Sequence, residues 1–309
     1  MKRFIFSVIL PTITTLSIFA AKTETDMRPV TLKAGNFSGI ASNIPCKIIL
    51  ANNPDSAGMI AFNISPIHKD LFSFSVNNGV LNCAVKKEGS FTIKQGPSTY
   101  TIHQSKSGTS VYKDTFRKKT KDVIYMSTII VYVPHKLDDI TINGSGTIKA
   151  GSKIRLGDKI NLCVNGSGDI KLKDTSVSHL SASVNGSGDI ELTGNTTATI
   201  LESAVRGSGD IDIKALNADK LSADVYGSGD IEIAGKAVNA VYTVSGSGDI
   251  DCDKVKATSV TATVNGSGSI DCYASRDFSG NVLKSGNIDC LGSPANVSRS
   301  GKTRHISVH

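Results

Sequence analysis

The chain is 309 residues long, with a formal net charge of +7, 6% aromatic residues, no tryptophan and six cysteines. Its positive charge is not interleaved with the aromatic side chains that stack on bases, which excludes a nucleic-acid-binding module. The cysteines lack metal-ligand spacing and no histidine lies near one in a zinc-like pattern, which excludes a zinc-built domain.

The chain opens Met1-Lys2-Arg3, continues through an apolar run over 4–19 and reaches the small residues Ala20 and Ala21. This pattern predicts a secretory signal peptide over residues 1–21, cut after about Ala20. The run contains Pro11 and is short for a membrane span, so an uncleaved anchor is the weaker reading. No cysteine precedes Cys46, and lipid attachment at the cleavage site is not indicated. The mature chain is expected to be exported, to the periplasm, the outer membrane surface or the exterior.

Residues 22–140 form the second region and hold 15 Lys and Arg against 9 Asp and Glu, whereas residues 141–309 hold 17 against 18. Much of the basic excess lies between Lys113 and Lys121, including Arg117, Lys118 and Lys119, inside a Ser/Thr-rich stretch over 89–122. A solvated, mobile insertion is expected there, with a contact to phosphate or anionic polysaccharide as the second reading. Alternating apolar stretches over 37–40, 46–50, 59–64, 72–76, 80–85 and 123–133 predict short strands. They are expected to cap the structure that follows and to start its first coils.

From residue 141 to 309 the sequence is repetitive. Gly-Ser-Gly begins at Gly144, Gly166, Gly186, Gly207, Gly227, Gly246 and Gly266, with spacings of 22, 20, 21, 20, 19 and 20. Within a unit, Ile160, Leu162, Val164, Gly166, Gly168, Ile170 and Leu172 alternate with mostly polar residues, the period of a strand with one buried face. Thirteen extended residues would span roughly 43 Å, so the chain must bend to start its next unit. The bend is expected at the glycine pairs Gly166 and Gly168, Gly186 and Gly188, Gly207 and Gly209, Gly227 and Gly229, Gly246 and Gly248, and Gly266 and Gly268. The predicted fold is all-β: a right-handed parallel β-helix, or β-solenoid, of roughly 20-residue coils. An antiparallel meander built on Asn-Gly and Ser-Gly turns is the alternative. One continuous domain over about 30–305 is expected.

Cys252, Cys272 and Cys290 take the place held by Leu172, Leu192, Ile213 and Ile233 in earlier units. Free buried thiols are the preferred expectation, and a Cys252 to Cys272 disulfide is the alternative.

Several segments carry a family resemblance. They are Asn36-Phe37-Ser38-Gly39-Ile40, Asn78-Gly79-Val80-Leu81-Asn82-Cys83, and Ile130-Val131-Tyr132-Val133-Pro134 leading into Leu137-Asp138-Asp139-Ile140-Thr141-Ile142-Asn143-Gly144-Ser145-Gly146. With the repeated Gly-Ser-Gly-Asp-Ile and the closing Gly286-Asn287-Ile288-Asp289-Cys290-Leu291-Gly292-Ser293-Pro294, the chain resembles the putative auto-transporter adhesin, head GIN domain family. The resemblance implies a β-helical, exported bacterial protein with a suggested role in adhesion, and it brings no catalytic residues. The stretch over 89–122 is longer than the family pattern leads one to expect. No membrane-barrel region is recognised before His309, so transport is not implied.

Outward residues after each glycine pair align in two acidic columns. Asp189, Asp210, Asp230 and Asp249 belong to the first, which also holds Asp169; Glu191, Asp212, Glu232 and Asp251 belong to the second. Unit charges at coil spacing repel by about 0.9 kcal/mol in bulk water, so the stripe needs water, lysines or cations. Calcium is one candidate, the sole cofactor considered. The favoured alternative is that the first-column side chain closes the corner by accepting from backbone N–H groups. A polysaccharide-cleaving pair such as Asp210 and Asp212 is disfavoured, because a catalytic pair should be singular and these acids recur in nearly every unit. Asn143, Asn165, Asn185 and Asn265 begin glycosylation sequons, but Asn before Gly also suits the turn, and no glycans are assigned.

The functional expectation is a non-enzymatic adhesin or envelope-binding module whose repeated polar faces meet an envelope polysaccharide or a cell-surface ligand. A carbohydrate-active enzyme and a purely structural envelope protein are the alternatives.

Overall fold

The computed structural model describes residues 27–86, 89–105, 108–113 and 123–309. The signal segment over 1–21 and most of the basic run, over 114–122, lie outside the described residues.

The repeats stack as a parallel β-solenoid of about nine turns. Strands Leu156–Gly166, Asp169–Gly186, Asp189–Val205, Ile211–Val225, Ile231–Val244, Ile250–Val264 and Ser269–Val282 each pair in parallel with the next, which rules out the meander. Their period of two becomes two vertical aliphatic columns. Val164, Val184, Val205, Val225, Val244, Val264 and Val282 stack on one leg of the coil, all fully buried. Ile170, Ile190, Ile211, Ile231, Ile250, Ile270 and Ile288 stack on the other. A slip of one residue would turn both columns to water, so hydrophobic burial fixes the register.

The stack begins before the glycine repeats. Gly39–Ser42 pairs in parallel with Leu137–Gly144, and Lys47–Ala51 with Thr147–Ala150, placing an early segment directly beneath the first repeat unit. Beneath these lie Val80–Val85 and Ile129–Tyr132, again parallel. Pairing then turns antiparallel: Phe72–Asn77 covers Val80–Val85, Met59–Ile64 pairs with Ile129–Tyr132, and Arg28–Lys33 pairs with Met59–Ile64. Phe62, Phe72 and Phe74 pack together at this end, with ring centroids 5.7–6.2 Å apart. One apolar cluster runs from Phe37 to Ile306.

The Ser/Thr-rich stretch differs from the mobile loop expected of it. Gly89–Gln95, Ser98–Ser105 and Gly108–Lys113 form an antiparallel sheet, which Val123–Tyr125 extends by pairing in parallel with the first strand. Phe91, Ile93, Ile102 and Ile124 are fully buried. The polar composition of 89–122 conceals Phe91, Ile93 and Ile102, which with Ile124 give the sheet an apolar face. Gln95 ties the sheet to the solenoid: its Oε1 accepts the Lys47 N–H at 2.6 Å, and its Nε2 donates to the carbonyl oxygens of Lys47 at 3.2 Å and Ser127 at 2.9 Å. No helix among the described residues is long and apolar enough to cross a membrane.

Candidate functional site

Each glycine pair lies at a bend between the two legs of a coil. At the second glycine the successive backbones approach too closely for a side chain: a Cβ on Gly188 would overlap the Gly168 carbonyl oxygen and come within 2.7 Å of its nitrogen. The same conflict recurs at Gly209, Gly229, Gly248 and Gly268. The first glycines Gly166, Gly186 and Gly207 have φ of +132°, +152° and +159°, a region that favours glycine. Gly227, Gly246 and Gly266 are also crowded by the carbonyl oxygen of the glycine one coil below.

The first acidic column forms a hydrogen-bond ladder. Oδ1 of Asp189 accepts the Asp210 N–H at 3.1 Å, Asp210 accepts from Asp230 at 2.8 Å, and Asp230 accepts from Asp249 at 2.8 Å. Asp249 Oδ1 then accepts both the N–H and the hydroxyl of Ser269, at 2.6 and 2.8 Å. Lysines interleave the second column. Lys171 Nζ donates to Glu191 at 2.8 Å; this bond raises the lysine pKa and lowers that of the glutamate. Lys214 contacts Asp212 and reaches Glu232 at 3.9 Å, while Lys254 lies 3.7 Å from Glu232. At Asp251 partial burial, then the Asp253 carboxylate beside it, outweighs the nearby Lys254 and pushes the pKa up.

Four first-column carboxylates are directed at backbone N–H groups, and among the described residues no three His, Cys, Asp or Glu side chains group as a metal site. Asp210 and Asp212 are engaged by this ladder and by Lys214, in the same arrangement as their neighbours.

All six cysteines are free; Cys252, Cys272 and Cys290 are fully buried and paired in register on successive coils. Tyr242 sits between Ala223 and Ala262 in its own inward column, with its hydroxyl beside the Cys252 thiol.

The outward face on the other leg is different in character. One column reads Asn161, Ser181, Glu202, Ser222, Val241, Thr261 and Ser279; the next reads Cys163, Ser183, Ala204, Asp224, Thr243, Thr263 and Asn281. At its edge, Asn165 Nδ2 donates to Asn143 at 2.9 Å and Asn185 Nδ2 to Asn165 at 3.0 Å. Arg206 lies over the Tyr226 ring, 5.0 Å from its centroid. This face is mostly hydroxyls and amides, with few charges.

The face is interrupted by a groove of about 680 Å³ at its N-terminal end. Sequence reasoning did not find it, although its cause is visible as the first Gly-Ser-Gly spacing of 22. Leu137 pairs with Leu156 but Asp139 with Asn161, so the upper coil carries three extra residues and bulges. Asp158 stands on that bulge, bridged to Lys136 at 3.6 Å.

The family model for "Putative auto-transporter adhesin, head GIN domain" matches residues 70–204 and 197–294, spanning most of the stack. The chain belongs to this family. No curated protein matches this head GIN protein. Among solved structures it is similar to a putative lipid binding protein from Parabacteroides distasonis, at 20% identity and a TM-score of 0.56 over 93% of this chain and 98% of the other. A putative adhesin from the same organism is 18% identical, with a TM-score of 0.56 over 92% and 97% of the two chains. A putative adhesin from Parabacteroides merdae is 17% identical, with a TM-score of 0.54 over 93% and 97%. At these identities the likeness is one of fold, and the head GIN fold is shared over nearly the whole length.

Proposed function

We propose that this head GIN protein is an exported, non-enzymatic adhesion module that holds an envelope polysaccharide or a cell-surface glycan against its outward faces. The observation that carries the proposal is the in-register recurrence of short hydroxyl and amide side chains on six of seven successive coils, the exception carrying Glu202 and Ala204. Such an array offers a polymer many weak contacts at a fixed spacing of about 4.8 Å, and linked weak contacts gain avidity without a deep pocket. Membership of the family supports adhesion over catalysis. So does the recurrence of the Asp210 and Asp212 arrangement along the stack, since catalysis calls for one distinguished pair.

The test immobilises the mature protein and measures retention of cells and envelope polysaccharides, with an assay for newly formed reducing ends on the same samples. Retention without cleavage is the expected result. Release of reducing ends would overturn the non-enzymatic reading, and absence of both would leave a structural role.

A further inference from the structure

The groove is a concave stretch of the repeating face, large enough to enclose part of a small molecule. Ile160 and Leu180 form its buried floor, and half-buried Ile200 gives it an apolar wall. Asp138, Asp158 and Glu202 stand exposed around it. Register fixes the remaining groups: Lys159, His179 and Ile200 stack on three successive coils, and Asn161, Ser181 and Glu202 stack beside them. Asn161 is already oriented, its Nδ2 donating to Asp139 Oδ1 at 2.7 Å.

An apolar patch edged by carboxylates, an imidazole, an amide and a hydroxyl matches the two-sided character of a pyranose ring. The C–H face of the sugar is apolar and packs on aliphatic carbon, while its hydroxyls donate to carboxylates and accept from amide or imidazole N–H groups. Three coils span about 10 Å along the axis, the length of a disaccharide. Carboxylates outnumber the lining lysine Lys159 three to one, and Lys136 pairs with one of them. Uronic acids, sulfated glycans and phosphate headgroups therefore meet like charge, whereas an uncharged sugar does not.

We propose that this groove binds a neutral glycan, seating a pyranose ring on Ile200 and holding its hydroxyls with Glu202, Ser181 and His179. The proposal rests on the adhesion reading and gives it a singular site and a sugar class. The flat face beyond the groove then carries the rest of the polymer.

The experiment screens the full mature chain, Ser181→Arg, Glu202→Ala and Thr31→Arg against neutral oligosaccharides, polyuronates, sulfated glycans and phosphatidylcholine vesicles. Circular dichroism melts check that each variant is folded. Thr31 is exposed on the capping strand Arg28–Lys33, outside the outward columns of the repeats, and serves as the control. Binding to a neutral glycan that falls at least about tenfold in Ser181→Arg and Glu202→Ala but not in Thr31→Arg is expected, a tenfold loss being about 1.4 kcal/mol. Unchanged binding by both groove variants overturns the site while leaving adhesion intact. Binding confined to polyuronates, sulfated glycans or vesicles overturns the sugar class, and a wild-type chain that retains neither glycans nor cells removes the adhesion reading as well.

Discussion

The backbone N–H of Asp230 donates to Oδ1 of Asp210 one coil below, at 2.8 Å, and the Asp230 carboxylate in turn accepts the N–H of Asp249 at the same distance. A column of like charges is thereby tolerated, because each carboxylate receives an N–H that the bend would otherwise leave to water. Two substitutions separate the hydrogen bond from the charge. Asp230→Ala removes the acceptor and is expected to cost about 1 kcal/mol, whereas Asp230→Asn keeps an acceptor, relieves the repulsion and is expected to match or exceed the wild type. Urea midpoints at pH 7 would check this order.

The glycine pairs give a sharper mechanical test. A Cβ on Gly209 would overlap the Gly188 carbonyl oxygen and lie 2.8 Å from its nitrogen, so the coils would have to separate. Gly209→Ala is expected to cost about 3 kcal/mol. A Cβ on Gly151 would meet nothing within 4 Å, and the φ of this glycine is not positive. Gly151→Ala should leave stability unchanged or raise it by about 0.5 kcal/mol. Equal effects of the two would contradict the close stacking of the corners.

What the sequence revealed divides along physical lines. The columns of Val164 and Ile170 could be read in advance because alternation and a period near 20 residues impose the register directly. The sheet holding Phe91 and Ile102 was obscured, since its few apolar residues lie among serines and threonines and its strands pair outside the repeat. The acidic column was visible, but whether its oxygens face cations or N–H groups depends on backbone direction at the bend. The groove beside His179 was hidden for a related reason: an insertion shows in the spacing, while the side to which it bulges is set by packing.

Thiol chemistry reports directly on the interior. Cys46, Cys83, Cys252, Cys272 and Cys290 are fully buried, and Cys163 alone among the six is partly exposed. Burial pushes the Cys83 pKa up to about 12 and raises those of Cys46 and Cys252 as well, suppressing the reactive thiolate. One thiol should react rapidly with an aromatic disulfide reagent in the native protein, and Cys163→Ala should abolish that reaction. All six should be alkylated after denaturation without reductant, as mass spectrometry would show; four would indicate a Cys252 to Cys272 bridge.

Acid crowding near the C-terminal end predicts a pH dependence of defined sign. Partial burial and the neighbouring Asp253 raise the Asp251 pKa, and burial with Asp251 and Asp289 raises that of Asp271. The folded chain therefore holds these protons more tightly than the unfolded chain. Their contribution is favourable at low pH and is lost as pH rises from the ordinary aspartate value through the raised folded values. Asp251→Asn removes the cost at neutral pH, and its Oδ1 can still accept from Asp253 N–H, a contact now 3.5 Å long. Because solvent screens this half-exposed site, the expected gain at pH 7 is below about 1 kcal/mol, or roughly 1 to 3 °C in Tm. The difference should vanish near pH 3, where Asp251 itself is protonated. Asp277, held down to about 2 by hydrogen bonds from Asn296, Arg276 and Ser259, titrates alike in both proteins and cancels from the comparison. Melting curves of the two proteins from pH 3 to 7 would measure the difference, and a variant less stable at pH 7 than at pH 3, relative to wild type, would show that Asp251 is stabilised in its charged form.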